Sequence, residues 1–559
     1  MVEQIEKTQE RIERLLAVLY GVESAAGLQH ELGELIERYR RRLPGLPQQG
    51  LSQRSAILIT YGDQVQQAGQ LPLTTLADFA ETWLNGVVSG LHILPFYPST
   101  SDDGFSVSDY YRVDPALGGW EQIERMRGNF QLMFDAVFNH ASAQGDWFRG
   151  YLADDPRYRD FFIRVEGEPD LSRVVRPRAL PLLTTFRAAN GDCKIWTTFS
   201  ADQADLNFAN PCVLLQMLDV LLFYVEHGAT LIRLDAIAYL WKQIGTPCIH
   251  LPQTHAVIQL MRAVLNSVAP QVLLVSETNV PHSDNISYFG DGGNEAQMVY
   301  NFALPPLVLH TLRTGDCSAL SAWAADLRLP SDRVTFFNFL ASHDGIGLNP
   351  ARSLLSDAQI EALVAGTLAH GGRVSYKHNP DGSQSPYELN INYFDALSDP
   401  AGDEDEGLQA RRFLAAHAIL LSLQGVPGIY FHSLFGSRGW PQGVEIHGHN
   451  RAINRQKLAV DELNAELQDP SGRRRMVYDW LSTMLRVRAA EPAFAPSMGQ
   501  EVLAAGTGIF ALRRGGVTCL VNVTGRAQEF PPALRRGTDL LGSRKNAELE
   551  PYAIRWFKS

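Results

Sequence analysis

The sequence has little that would take it onto a nucleic acid or into a membrane. Its 559 residues carry a net charge of −12 and no long basic run. Without clustered cations a chain has no means of releasing counterions from a phosphate backbone. Local charge can still serve a small anion. The most apolar stretch, VLLQMLDVLLFYVEHG from Val213 to Gly228, is interrupted by Asp219. It falls short of the roughly 20 residues a bilayer requires and reads as a helix packed on a sheet. Cysteine is sparse: Cys193, Cys212, Cys248, Cys317 and Cys519 are odd in number, scattered and without a CxxC pair. That argues against a disulfide framework and offers no zinc-ligand spacing, so they read as reduced thiols. The opening MVEQIEKTQERIERLL is charged and helical, unlike a signal peptide. A soluble cytoplasmic protein is expected.

What is present describes a large globular protein. Hydrophobic residues make up 45% and charged residues 20%, the balance of a folded soluble chain that is too long for one ordinary domain. Residues 1–50 place Ile5, Ile12, Leu15, Leu16 and Leu19 at helical spacing, which predicts a helical extension on the main body, with a monomer or a homodimer both open. Eight short apolar runs follow: SAILITYG, LHILPFYP, FQLMFDAVFNH, TLIRLDAIA, QVLLVSETN, AQMVYNFAL, VTFFNFLASHD and VPGIYF. Nearly continuous apolar runs separated by amphipathic stretches predict parallel strands covered on both faces, and eight βα units predict a (β/α)₈ TIM barrel over residues 51–490. Two stretches break the repeat, about 141–210 after the third strand and about 346–405 after the seventh. Insertions at the C-terminal ends of barrel strands shape substrate sites. From 491 to 559 short β-like runs broken by glycines predict a small C-terminal β domain.

The polar residues gather where a barrel does chemistry. Asp135, Asn139 and His140 end the third run, Glu277 the fifth, and His343 and Asp344 the seventh. The fourth, LIRLDA, carries Arg233 and Asp235 two residues apart, on one face of a strand. A buried ion pair is a poor source of stability, because desolvation offsets most of its attraction. Three carboxylates at the ends of the fourth, fifth and seventh runs raise one another's proton affinity if buried together, which is useful when one must hold a proton. Glycoside transfer with retention asks for this: one carboxylate attacks the anomeric carbon while another protonates the leaving oxygen. Arg233 is expected to keep Asp235 ionised and aimed.

DAVFNH, LIRLDA, VSETN and ASHD resemble the four signature regions of the α-amylase family, over a stretch from about residue 50 to the end. The resemblance implies Asp235 as nucleophile, Glu277 as general acid/base and Asp344 as transition-state stabiliser, with His140, Arg233 and His343 around the bound glucose. Where calcium-dependent members have a lysine–histidine pair, this chain has Ala238 and Tyr239, so neither metal nor cofactor is expected. ITYGDQ, HILPFYP, DDGFSVSDY, RPRALP, WTTFSADQADLN, SHDGIG and HNRAINR are similar to the sucrose phosphorylase branch. That likeness implies Asp102, Phe199 and Arg451 at the glucose site, and Arg178 with Arg451 at the phosphate. Glu388, in YELN where sucrose phosphorylases carry glutamine, and the N-terminal extension are most similar to the branch members that act on glucosylglycerate. A phosphorylase taking an α-glucoside and inorganic phosphate is therefore expected. Glucosylglycerate leads, with glucosylglycerol, sucrose or sucrose 6-phosphate, or a hydrolase or transglucosidase of the same fold, as alternatives. Arg176, Lys242, Lys377 and His378 are open candidates for meeting the acceptor carboxylate, and Glu388 for binding acceptor hydroxyls or orienting a cation.

Overall fold

The computed structural model describes residues 2–43, 50–178, 180–379, 383–542 and 548–559. Each of the eight apolar runs contains a strand: β1 Ile57–Thr60, β2 Gly90–Ile93, β3 Gln131–Ala136, β4 Ala229–Leu234, β5 Leu273–Ser276, β6 Met298–Tyr300, β7 Thr335–Asn338 and β8 Val426–Tyr430. They pair in sequence order, all parallel, and β8 returns to β1 through Ile57↔Gly428 to close the barrel. Closure leaves no strand edge and buries both faces, which is why the strands are apolar throughout rather than alternating. At Gly90 the strands pack so closely that a Cβ would stand 2.8 Å from the Gln131 carbonyl oxygen. VLLQMLDVLLFYVE forms a helix on the outside of this barrel, Pro211–Glu226.

The N-terminal segment is a pair of helices, α1 Val2–Tyr20 and α2 Val22–Arg42. They pack on two barrel helices, α3 Pro211–Glu226 and α4 Pro252–Val268. Ile12, Leu15, Leu16 and Leu19 are buried there; the side chain of Ile5 lies outside the described residues. Asp219, the acid that interrupts the apolar run, accepts from Arg38 at 2.6 Å, Tyr39 at 3.1 Å and Tyr111 at 2.5 Å. It ties the helix pair to the barrel.

Between β3 and β4, strands Leu183–Ala188 and Gly191–Trp196 pair as a hairpin, and His140–Ser142 pairs with Gln203–Asp205. After β7, Arg373–His378 and Gln384–Asn390 form a second hairpin. Both insertions leave from the C-terminal ends of barrel strands, and both bring residues over the barrel mouth. Beyond the last barrel helix, a five-stranded sheet is built from Gln500–Val502, Ile509–Arg514, Val517–Asn522, Ile554–Lys558 and Thr538–Asp539.

Candidate active site

The centre of the site is a buried guanidinium. Arg233 lies within β4, in register with Asp135 of β3. Its Nη1 bonds Asp135 and also Asp235 Oδ1 at 2.9 Å, while Nη2 stands 3.7 Å from Glu277 Oε2. Asp135 is held from its other side by His92 Nε2 at 2.7 Å. Burial opposes its charge, yet Arg233 and His92 bring its carboxyl down to about 2. Asp135 therefore anchors Arg233, and Arg233 presents one face to two further carboxyls. Phe105 and Tyr300 cover the guanidinium at 5.6 and 5.5 Å.

Asp235 and Glu277 do not behave as ordinary carboxylates. Burial pushes both up, Asp235 to about 8, against the pull of Arg233; each also feels Asp344. At Asp235 the attraction of Arg233 is thus set against desolvation and against the neighbouring carboxyls. Two carboxyls on one guanidinium titrate as a pair and readily hold a single proton between them. The backbone between them is tight. Ala236 takes a left-handed conformation, φ 48° and ψ 31°, and its N–H donates to Glu277 Oε2 at 3.2 Å. A non-glycine residue in that region is strained, and strain of this kind gathers at functional sites.

Asp344 is approached from the far side. Arg451 Nη1 reaches its Oδ1 at 2.5 Å and Arg455 Nη2 stands at 3.6 Å. His343 stacks on Phe105, with ring centroids 4.8 Å apart, and its Nε2 lies 3.4 Å from Asp344. Burial, with Arg455, Arg233 and Arg451 nearby, pushes His343 well below its usual range, so it is neutral at pH 7. Glu388 accepts from Arg451 Nε at 3.0 Å and Nη2 at 2.7 Å. Of the two roles open to it from sequence, this contact matches the orienting of a cation.

Asp102 and Asp103 sit in a turn with φ of 53° and 48°, a second strained segment at the barrel mouth. Asp102 accepts from Arg178 Nη2 at 3.0 Å and from Gln203 Nε2 at 3.3 Å. Burial works against its charge, but Arg178, Arg451 and Arg455 hold its carboxyl well below the usual range. Arg178 also lies over Phe199, 5.6 Å from the ring centroid, and His140 stands 5.3 Å from that ring.

These residues surround one pocket of about 820 Å³, counting its open mouth. Asp102, His140, Arg178, Phe199, Asp235, Glu277, His343, Asp344, Glu388 and Arg451 all line it. Arg233 lies beneath its floor. Of the candidates for an acceptor carboxylate, Arg176, Lys242 and Lys377 do not line it. Lys242 is buried against Asn139 Oδ1 at 2.7 Å and Asp205 Oδ2 at 2.5 Å. Arg176 bonds the Leu180 carbonyl, Lys377 lies near Arg352, which with burial pushes it down, and the side chain of His378 lies outside the described residues. Phe105, Gln203, Tyr239, Asn279, Phe302 and Tyr387 also line the pocket, and residue type alone did not single them out. Phe105, Gln203, Asn279 and Tyr387 sit inside the motifs DDGF, ADQADLN, VSETN and YELN, which is the signal that could have found them.

Comparison with known proteins agrees with this geometry. The alpha amylase catalytic-domain model matches residues 86–344. A glucosylglycerate phosphorylase of Allomeiothermus silvanus is 52% identical over 97% of each chain. One from Escherichia coli K12 is 44% identical over 98% of this chain and all of the relative. A sucrose phosphorylase of Agrobacterium vitis is 31% identical over 82% of this chain and 92% of its own. Among solved structures, sucrose 6F-phosphate phosphorylase from Thermoanaerobacter thermosaccharolyticum superposes with a TM-score of 0.73 at 25% identity, covering 85% of this chain and 95% of that one. A charged barrel mouth of this composition, on a chain this similar along nearly its whole length, belongs to the α-amylase family and, within it, to the family of the glucosylglycerate phosphorylases.

Proposed function

We infer that the protein is a retaining phosphorylase, converting 2-O-α-glucosylglycerate and inorganic phosphate into α-glucose 1-phosphate and glycerate. The observation that carries this reading is the carboxyl pair Asp235 and Glu277 on one guanidinium, in a pocket that two further arginines also line. Arg233 lies closer to Asp235 than to Glu277, which favours the anion on Asp235 and leaves the shared proton to Glu277. Asp235 attacks the anomeric carbon and Glu277 gives its proton to the departing glycerate oxygen, leaving a β-linked glucosyl–Asp235 ester. Phosphate enters the vacated side, Glu277 takes the proton of its attacking oxygen, and the ester bond breaks as the new α-glucosyl–phosphate bond forms. Two inversions return the starting configuration. Asp344, His140, His343, Phe199, Asp102 and Arg451 grip the glucosyl unit in this reading.

Water competes for the same intermediate, so phosphate needs local positive charge. Arg178 supplies a planar fork suited to phosphate oxygens. The five cysteines are free, and among the described residues no helix is long and apolar enough to cross a membrane. Both features support a working place in the reducing cytoplasm.

Incubating the protein with glucosylglycerate in phosphate buffer and following the anomeric proton by NMR tests the reaction. α-Glucose 1-phosphate is expected. Free glucose in its place would make the protein a hydrolase, and the β anomer would remove the covalent intermediate. Running the reverse reaction with glycerate, glycerol, fructose and fructose 6-phosphate separately ranks the acceptors.

A further inference from the structure

Asp102 lines the pocket, but its neighbour Asp103 does not. The two stand in succession at φ 53° and 48°. Single aspartates visit this left-handed region; two in a row are rare. Gly104 completes the turn at φ 108°, where a Cβ would stand 2.6 Å from the Pro95 carbonyl oxygen, just beyond β2. A turn this strained keeps its shape only where the contacts around it over-determine it. Its hold must come from the side away from the pocket.

Arg455 supplies that hold. Its Nη1 bonds Asp103 Oδ2, across 352 residues of sequence, and its side chain is 3% exposed. His449 Nε2 is a weaker neighbour, 3.7 Å from the same carboxyl oxygen. The guanidinium also faces the end of β7. There Nε donates to the His343 carbonyl at 2.9 Å, and Nη2 stands 3.6 Å from Asp344 Oδ1. Arg455 does not line the pocket either. One buried cation thus spans the turn that carries Asp102 and the strand end that carries Asp344.

The ring stack of Phe105 on His343 joins the same two walls, with centroids 4.8 Å apart. Stacked rings fix a separation but can slide. A planar fork bonded on two edges cannot. In the reading given above, Asp102 and Asp344 grip one glucosyl unit, and a shift of about 1 Å in such a contact costs on the order of a hundredfold in rate.

We propose that Asp103 and Arg455 are a positioning pair, which touches no substrate and sets the distance between Asp102 and Asp344 across the glucosyl unit. The assignment rests on the phosphorylase reading.

The test uses the full-length protein, with α-glucosyl fluoride and its monodeoxy analogues as donors and phosphate as acceptor. Each missing hydroxyl lowers wild-type kcat/KM by its own factor. Asp102→Asn identifies the hydroxyl that Asp102 reads, as the one whose removal costs that variant less than it costs the wild type. Asp103→Asn keeps the shape of its side chain and loses the charge. It should lower kcat/KM for the parent fluoride about tenfold to a hundredfold, and shrink the penalty at that same hydroxyl while leaving the others. Arg455→Lys keeps the charge but loses the fork, so it should act through the same contact. The double variant should then fall no further than the lower of the two single ones. Unchanged kinetics in Asp103→Asn, an equal loss at every hydroxyl, or losses that simply multiply in the double variant overturn the assignment. Failure of the phosphorylase reading shows separately, as wild-type protein that forms no α-glucose 1-phosphate from glucosylglycerate and phosphate.

Discussion

Arg451 holds Glu388 with two of its nitrogens, at 3.0 and 2.7 Å, and reaches Asp344 with the third, at 2.5 Å. Three groups from three separate parts of the chain thereby form one rigid unit. Glu388 Oε1 also accepts from the Gly345 N–H at 3.2 Å, so the hairpin that carries it is pinned to the residue after Asp344. Glutamine at this position offers one acceptor where the fork needs two. Glu388→Gln should lower kcat/KM for glucosylglycerate about tenfold or more, with the circular dichroism spectrum unchanged. Steady-state kinetics at saturating phosphate measures it, and wild-type rates in the variant would show that the fork does not position Arg451.

The raised carboxyl pair fixes the pH profile. Burial raises both carboxyls, Asp235 to about 8, so the single proton the pair shares is retained through neutrality and leaves in the alkaline range. kcat/KM for glucosylglycerate, whose own carboxylate does not titrate in this range, should therefore fall about tenfold per unit above pH 8. Neutral His343 adds no step between pH 6 and 8, because its pKa lies well below the ordinary value. A profile flat to pH 10 would contradict the shared proton.

The same shift has a cost in stability. A carboxyl whose folded pKa lies above its unfolded value of about 3.9 gives its full contribution to folding below about pH 4 and loses it as pH rises through the folded pKa. At pH 7 most of the penalty from the Asp235–Glu277 pair is present. Asp235→Asn should therefore raise the unfolding free energy by about 1–2 kcal/mol at pH 7 and by little at pH 4, while lowering kcat at least about 10⁴-fold. Thermal midpoints at the two pH values check the first part, and single-turnover formation of α-glucose 1-phosphate checks the second.

Lys242 is 3% exposed and balances Asp205, which is fully buried. Asp205 in turn accepts from Thr198 N–H at 2.8 Å and from its hydroxyl at 2.6 Å. Lys242→Met leaves that carboxylate without its cation and should destabilise the protein by about 3–5 kcal/mol, measurable by urea unfolding. Activity should fall with it, because Asn139 and Asp205 flank His140 and Gln203 at the pocket wall.

Arg178→Lys keeps the charge and removes the fork. The phosphate KM should rise about tenfold or more, measured at saturating glucosylglycerate. An unchanged phosphate KM would separate Arg178 from the anion.

The barrel was legible because its signal is local. Each strand is a run of apolar residues in one short window, and covering on both faces makes that run continuous. Asp235, Glu277 and Asp344 were legible for the same reason, since each stands at the end of such a run. Partnerships were not. Arg451 meets Asp344 across more than a hundred residues, and Lys242 turns inward to Asn139 although its neighbours in sequence give no sign of which way it faces. Nor could sequence weigh desolvation against Arg233 at Asp235, since that balance depends on how much water the folded pocket excludes.

The Lys242 ammonium has one more implication. It is a counter-ion carried on the polypeptide, so the seam it closes between barrel and insertion cannot be opened by dilution or by a chelating agent. Burial pushes its pKa down, so alkali discharges it before an ordinary lysine and is the condition under which that seam would first give way.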